Sequence, residues 1–179
     1  MTLWDRQAQL PVPGSEGRVV CSGTGGAVPL PPEPPSAEEV WDRVPIPEGR
    51  MGINPARDGL TGLDTWLWYE GNAGPVKLPA IEIRGYAVTA TAKPAVFTWK
   101  MSDDPASHYS SSVPGSQAHP AAIHVYQTKR DYNTVMEVAW EGSYSFRGFG
   151  IALANQPLGR VTLTSERLYH VVEARGMRR

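Results

Sequence analysis

An all-β fold is what this sequence predicts: a β-sandwich of about seven strands, preceded by a Pro/Gly-rich extension and one short helix. Three observations lead there. Along residues 132–146, Tyr132, Thr134, Met136, Val138, Trp140, Gly142, Tyr144 and Phe146 form one face, and Asn133, Val135, Glu137, Ala139, Glu141, Ser143 and Ser145 the other. Strict period-2 alternation describes a strand with one dry and one wetted side, whereas a helix would scatter those rings around its circumference. Second, short alternating apolar runs recur after Gly59, separated by clusters of Gly, Pro, Asn and Ser. Third, ten of the 17 prolines fall within the first 59 residues, so the breakers gather at one end.

In chain order, residues 1–35 read as a disordered extension. Pro denies ladder hydrogen bonds, Gly raises the ordering entropy, and few apolar residues offset either. Its run Pro29-Leu-Pro-Pro-Glu-Pro-Pro35 reads as a spacer in preference to a ligand for a proline-recognising groove. Residues 36–59 read as a short helix and linker. Ser36-Ala-Glu-Glu39 matches a capping box, Pro45 and Pro47 forbid continuation, and Trp41 is placed to fasten the segment to the domain. Residues 46–59 read as loop.

Residues 60–175 read as the sandwich. Trp66 and Trp68 share a face of the first strand, and Gly71–Pro75 is a turn. Ile81 and Ile83 face one way and Tyr86, Val88 and Ala90 follow in the other phase, which asks for a bulge or bend at Arg84-Gly85. Lys93-Pro94 reads as a turn before Ala95, Phe97, Trp99 and Met101. Residues 102–120 read as loop, Ile123–Tyr126 as a short strand, and 147–159 as a glycine-containing loop. Val161 and Leu163 then give way to Leu168, His170 and Val172 in the opposite phase, so a bulge is expected near 165–167. Residues 176–179 form a basic tail. The expected core is Trp66, Trp68, Trp99, Val138, Trp140 and Tyr144.

Composition narrows function. A length of 179 residues fits one domain plus an extension, and a net charge of −1 provides no field for nucleic acid or an anionic membrane. No run approaches the ~18–20 apolar residues of a membrane helix. Cys21 is alone, which excludes an internal disulfide, and residues 1–20 lack the apolar core of a signal peptide.

The chemistry-bearing residues are sparse. Asp103 and Asp104 at a strand end are the candidates for a metal, Ca²⁺ by preference, but calcium wants six to eight oxygens and an Asp capping its own turn is the commoner use. None of His108, His119, His124 and His170 stands at zinc spacing, and the two in strands read as hydrogen-bonded structural histidines. Glu137 and Glu141 lie about 13 Å apart along one strand, too far for paired glycosidase carboxylates. No catalytic constellation is supported and no cofactor is expected. Among the rings, core filling is the better reading, with Tyr69 and Tyr109 the exposed candidates for ligand binding.

Three pieces stand in order: Trp99-Lys-Met-Ser-Asp-Asp104, His124-Val-Tyr126 and Tyr132-Asn-Thr-Val-Met-Glu-Val138. They resemble the PKD-domain signature, in which a Trp-containing strand enters a Gly-Asp-Gly turn and is followed by His-Thr-Tyr and Tyr-Thr-Val strands. Residues 55–68 and Val88-Thr-Ala-Thr-Ala92 look like a group of actinobacterial PKD-like proteins, and the likeness covers roughly 36–175. The turn here is Ser102-Asp103-Asp104, and residues 102–124 hold no cysteine where that group often places them. The resemblance implies an Ig-like sandwich, a location outside the cytoplasm, and a spacer or interaction role with no catalytic residues to carry over. The expected function is a non-enzymatic cell-envelope or extracellular module with a protein or glycan partner. The alternatives are a carbohydrate-binding accessory module using exposed aromatics and, third, a metal-dependent hydrolase built on Asp103 and Asp104. The visible N-terminus offers no export route, so a cytoplasmic location stays open.

Overall fold

A computed structural model describes residues 30–103 and 108–174. Asp104, Cys21, most of the extension and the basic tail lie outside them. The described chain is mostly β, with one short helix, α1 (Ala37–Trp41), and nine strands: β1 (Arg50–Asn54), β2 (Asp58–Leu60), β3 (Asp64–Glu70), β4 (Val76–Ile83), β5 (Tyr86–Met101), β6 (His108–Ser111), β7 (Ala122–Val125), β8 (Arg130–Gly148) and β9 (Ile151–Val172). A three-stranded sheet runs β1-β3-β7, and a six-stranded sheet runs β2-β9-β8-β5-β4 with β6 also on β5. Both contribute to one hydrophobic core, where Tyr69 of the small sheet meets Phe97 of the large one at 5.0 Å between ring centroids.

β8 is the spine. It pairs with β5 on one side and β9 on the other, and Tyr132, Thr134, Met136, Val138, Trp140, Tyr144 and Phe146 are all buried. Gly142 interrupts the bulky face because a Cβ there would come within 2.6 Å of the Thr91 carbonyl. Trp99, Val138, Trp140 and Tyr144 lie in the core.

Several expectations are corrected. On β3 the alternation is right but its inward face is the other one: Thr65, Leu67 and Tyr69 are turned to the core. Trp68 is buried on the opposite side over Gly52, where an added Cβ would lie 2.2 Å from its ring, and Trp66 is half-buried there. On the core side of β3, Tyr69 packs on Phe97. Lys93-Pro94 is no turn. β5 runs straight through it with a register shift between Pro94 and Val96. On that edge β4 stops pairing at Ala92 and β6 begins at Phe97, so the missing proline N–H leaves no ladder bond unmade. The shift also moves the buried phase from Val88, Ala90 and Ala92 to Phe97, Trp99 and Met101.

The phase switch at Arg84-Gly85 is a two-residue hairpin turn, with φ of 52° and 82° and Ile83 opposite Tyr86. Phe149-Gly150 repeats it, at φ 50° and 80°, so 147–159 is hairpin and strand instead of loop. No bulge interrupts 165–167: the β8–β9 register is continuous from Arg130–Val171 to Gly142–Gly159, and Tyr169 and Val171 are the buried positions. Arg167 held the inward phase unseen, since its guanidinium donates to the Ala56 carbonyl. The expected loops 46–59 and 102–120 contain β1, β2 and β6.

The capping box at α1 is present in both directions, Glu39 N–H to Ser36 Oγ and Ser36 N–H to the Glu39 carboxylate. Trp41 donates its indole N–H to the Leu158 carbonyl at 2.6 Å. Residues 32–35, expected within the extension, are fixed. Tyr86, Arg84 and Tyr144 donate to the carbonyls of Pro32, Pro34 and Pro35, and Pro35 is buried. An extended proline run leaves its carbonyls free to accept such bonds.

Candidate functional site

Two groups of residues stand out. The first is polar. β7 places His124 between Asp103, at the end of β5, and Tyr109 on β6, with His124 Nε2 2.8 Å from Asp103 Oδ2 and Nδ1 3.1 Å from Tyr109 Oη. In the neutral ring, Nε2–H donates to the carboxylate and Nδ1 accepts the phenol proton. His124 is buried, and the edge of its ring meets Tyr126 at 4.5 Å. Tyr126 lies on Tyr132, and its hydroxyl is within 3.0 Å of Thr134 Oγ1. Burial pushes the Tyr126 phenol up to about 12. The chain Asp103–His124–Tyr109 therefore joins β6 of the large sheet to β7 of the small one through side chains that occupy both ring nitrogens.

This arrangement decides where the expected site residues fall. Asp103 gives Oδ2 to His124, while its Oδ1 is buried without a partner among the described residues. No group of three His, Cys, Asp or Glu is placed to hold a metal among those residues. Tyr109 is half-buried with its hydroxyl on His124. Tyr69, expected on the surface, is buried and packs on Phe97. Glu137 and Glu141 pair with Lys100 and Arg160 respectively, across neighbouring strands.

The second group is apolar and lies at the hairpin end of the large sheet, where β4, β5, β8 and β9 run side by side. Two adjoining clefts of about 380 and 610 Å³ share Ala80, Ala87, Arg147 and Ala152 as walls. Phe146 and Leu153 line the first, and Phe149 and Ile151 the second. Small side chains at 80, 87 and 152 make the depression, and the register shifts at Leu78/Ile81 and Tyr144/Phe146 bend the strands around it. Phe149 stands at the turn, 55% exposed, with its ring edge 5.1 Å from Tyr86. Leu153 is 46% and Ile151 39% exposed. An expected loop over 147–159 hides this surface. The signal was there: Phe149-Gly150 is a two-residue X-Gly turn between alternating runs.

Compared with known proteins, the chain matches no family model, no curated protein and no solved structure.

Proposed function

We propose that this chain is a PKD-like, Ig-type β-sandwich serving as a non-enzymatic interaction or spacer module at the cell envelope or outside the cell. The observation that supports an interaction role is the apolar cleft at the β8–β9 hairpin. Three large apolar side chains, Phe149, Ile151 and Leu153, are exposed at this hairpin, Ile151 and Leu153 on the face opposite Ala87, Arg147 and Ala152, and such clustering marks contact surfaces. Alanine methyls and apolar rims suit a protein segment that inserts an aliphatic or aromatic side chain, with Arg147 placed to meet a carboxylate beside it.

The test is a photo-cross-linking residue at position 153, introduced in the native host together with protease treatment of intact cells. A discrete cross-linked species formed from 153, absent when the linker sits at Lys93, and protease access to the protein are the expected results. Cross-links no different from those at Lys93 would overturn the interaction reading. Protein shielded from protease in intact cells would overturn the location.

The glycan reading loses Tyr69 and Tyr109 as free platforms. It keeps Trp66, a half-buried ring opposite the 47%-exposed Ile123 on the far side of the small sheet. A polysaccharide-induced shift in tryptophan emission that Trp66→Phe abolishes would favour it, and no shift would remove it.

A further inference from the structure

We infer that two copies of this chain pair edge to edge along residues 160–166 of β9, antiparallel about a two-fold axis through Leu163. Beyond the interaction role above, this assigns a second surface and a partner. The six-stranded sheet has two outer edges, and they are treated differently. β4 carries Pro79 and a register shift between Leu78 and Ile81, devices that spoil an edge for further pairing. β9 is bound to β8 along its length, and on its other side β2 pairs only with His170, Val171 and Val172. Between Arg160 and Leu168 it contains no proline and no register shift. Among the described residues that leaves a straight run of unpaired backbone groups, the template for another strand.

The open window is bounded at both ends. Trp41 caps the Leu158 carbonyl on one side, Ala56 takes the Arg167 guanidinium on the other, and Pro47 and Gly49 border the inner side of 163–165 without a backbone bond to them among the described residues. What remains, 160–166, is centred on Leu163, and its side chains are self-complementary about that point. Opposed residues in an antiparallel pair share a face, so a two-fold through Leu163 sets Arg160 against Glu166, Val161 against Ser165, Thr162 against Thr164, and Leu163 against itself. Both ends thus carry an Arg–Glu pair. Arg160 already binds Glu141 of β8 through Nε at 3.0 Å, and its far side meets the incoming carboxylate. Glu166 has no ion-pair partner among the described residues in the single chain. Moving the axis by one residue either way sets Arg160 against Thr164 or Leu168 and loses both ion pairs. Leu163, 38% exposed at the rim of the core, is covered by its counterpart.

The test uses the full chain, its mass followed by sedimentation up to about 1 mM, the weak end of specific association. Arg160→Glu and Glu166→Arg each oppose like charges twice per dimer, so each alone should weaken self-association about tenfold or more. Mixed in equal amounts, the two variants restore both attractive pairs and should form a dimer. Unchanged thermal midpoints would exclude misfolding as the cause of lost association, and any variant that melts early is replaced by Arg160→Gln or Glu166→Gln, for which an intermediate loss is expected. A wild-type chain that stays monomeric, single variants that associate like the wild type, or a mixture that stays monomeric would each overturn the pairing.

Discussion

β8 and β9 are neighbours in one ladder, locked in a common register, yet one was plain in the sequence and the other was not. β8 has a strand on each side and the small sheet against its inner face, so seven of its eight inward positions in 132–146 are buried. β9 is longer, but among the described residues its outer flank is paired only at 170–172, and its inward positions 161, 163, 165 and 167 are only partly covered or, at Leu163, exposed. Covered positions demand apolar side chains, while half-covered ones tolerate Ser165 and Arg167. Alternation in a sequence therefore reports burial, and a strand is visible only as far as it is covered.

The largest expected effect breaks or sustains that contrast directly. Trp140→Ala removes a fully buried ring from the centre of β8 and should cost about 3–5 kcal/mol in chemical denaturation. Leu163→Ala, on β9 opposite Val138, removes a side chain that is already 38% exposed and should cost about 1 kcal/mol or less. Equal losses at the two sites would mean that β9 is covered as β8 is, and the open edge would be lost with the contrast.

A smaller effect tests what covers the hairpin end of the inner face. Tyr86 and Tyr144 are buried and donate to the Pro32 and Pro35 carbonyls at 2.8 and 3.2 Å. Tyr86→Phe and Tyr144→Phe keep the rings and delete one hydrogen bond each, so about 1 kcal/mol apiece is expected. Proteolysis within 30–36 should rise in parallel. Two silent substitutions would show that the proline segment is not held by these bonds.

Much of the fold was legible for local reasons. The capping box at Ser36 and the alternation of β8 are each written within a few consecutive residues. What was not legible depends on partners distant in the chain. Pro94 read as a turn because proline usually ends a strand, and only the gap between β4 and β6 makes it harmless. Trp66 and Trp68 read as core by size, but period-2 alternation alone does not say which face of β3 meets the large sheet, and Thr65, Leu67 and Tyr69 are the ones that do. At the polar cluster, His124 was read as structural and Asp103 as a turn residue, but their meeting with Tyr109 spans three strands from two sheets, and no spacing encodes it.

The smallest effect concerns the far end of the same β8–β9 ladder, where the faces turned to water carry charge. His170 of β9 lies opposite Asp131 of β8, Nδ1 2.5 Å from Oδ1, and opposite Asp58 of β2 on its other flank. Lys129, Arg130 and Glu173 line the adjoining cleft. The hydrogen bond to Asp131 raises the His170 pKa above its ordinary 6.5; desolvation opposes it, and the charges of Asp131 and Asp58 add smaller help. A pKa raised on folding adds stability that is fully present below the unfolded value and fades as pH climbs through the folded one. A proton titration followed by NMR should therefore place the His170 midpoint above 6.5, and Asp131→Asn should lower it. The melting midpoints of wild type and Asp131→Asn should differ most near pH 5 and converge above the folded midpoint. A difference that grows with pH would mean that Asp131 acts through Arg130 or Lys129 and not through the histidine.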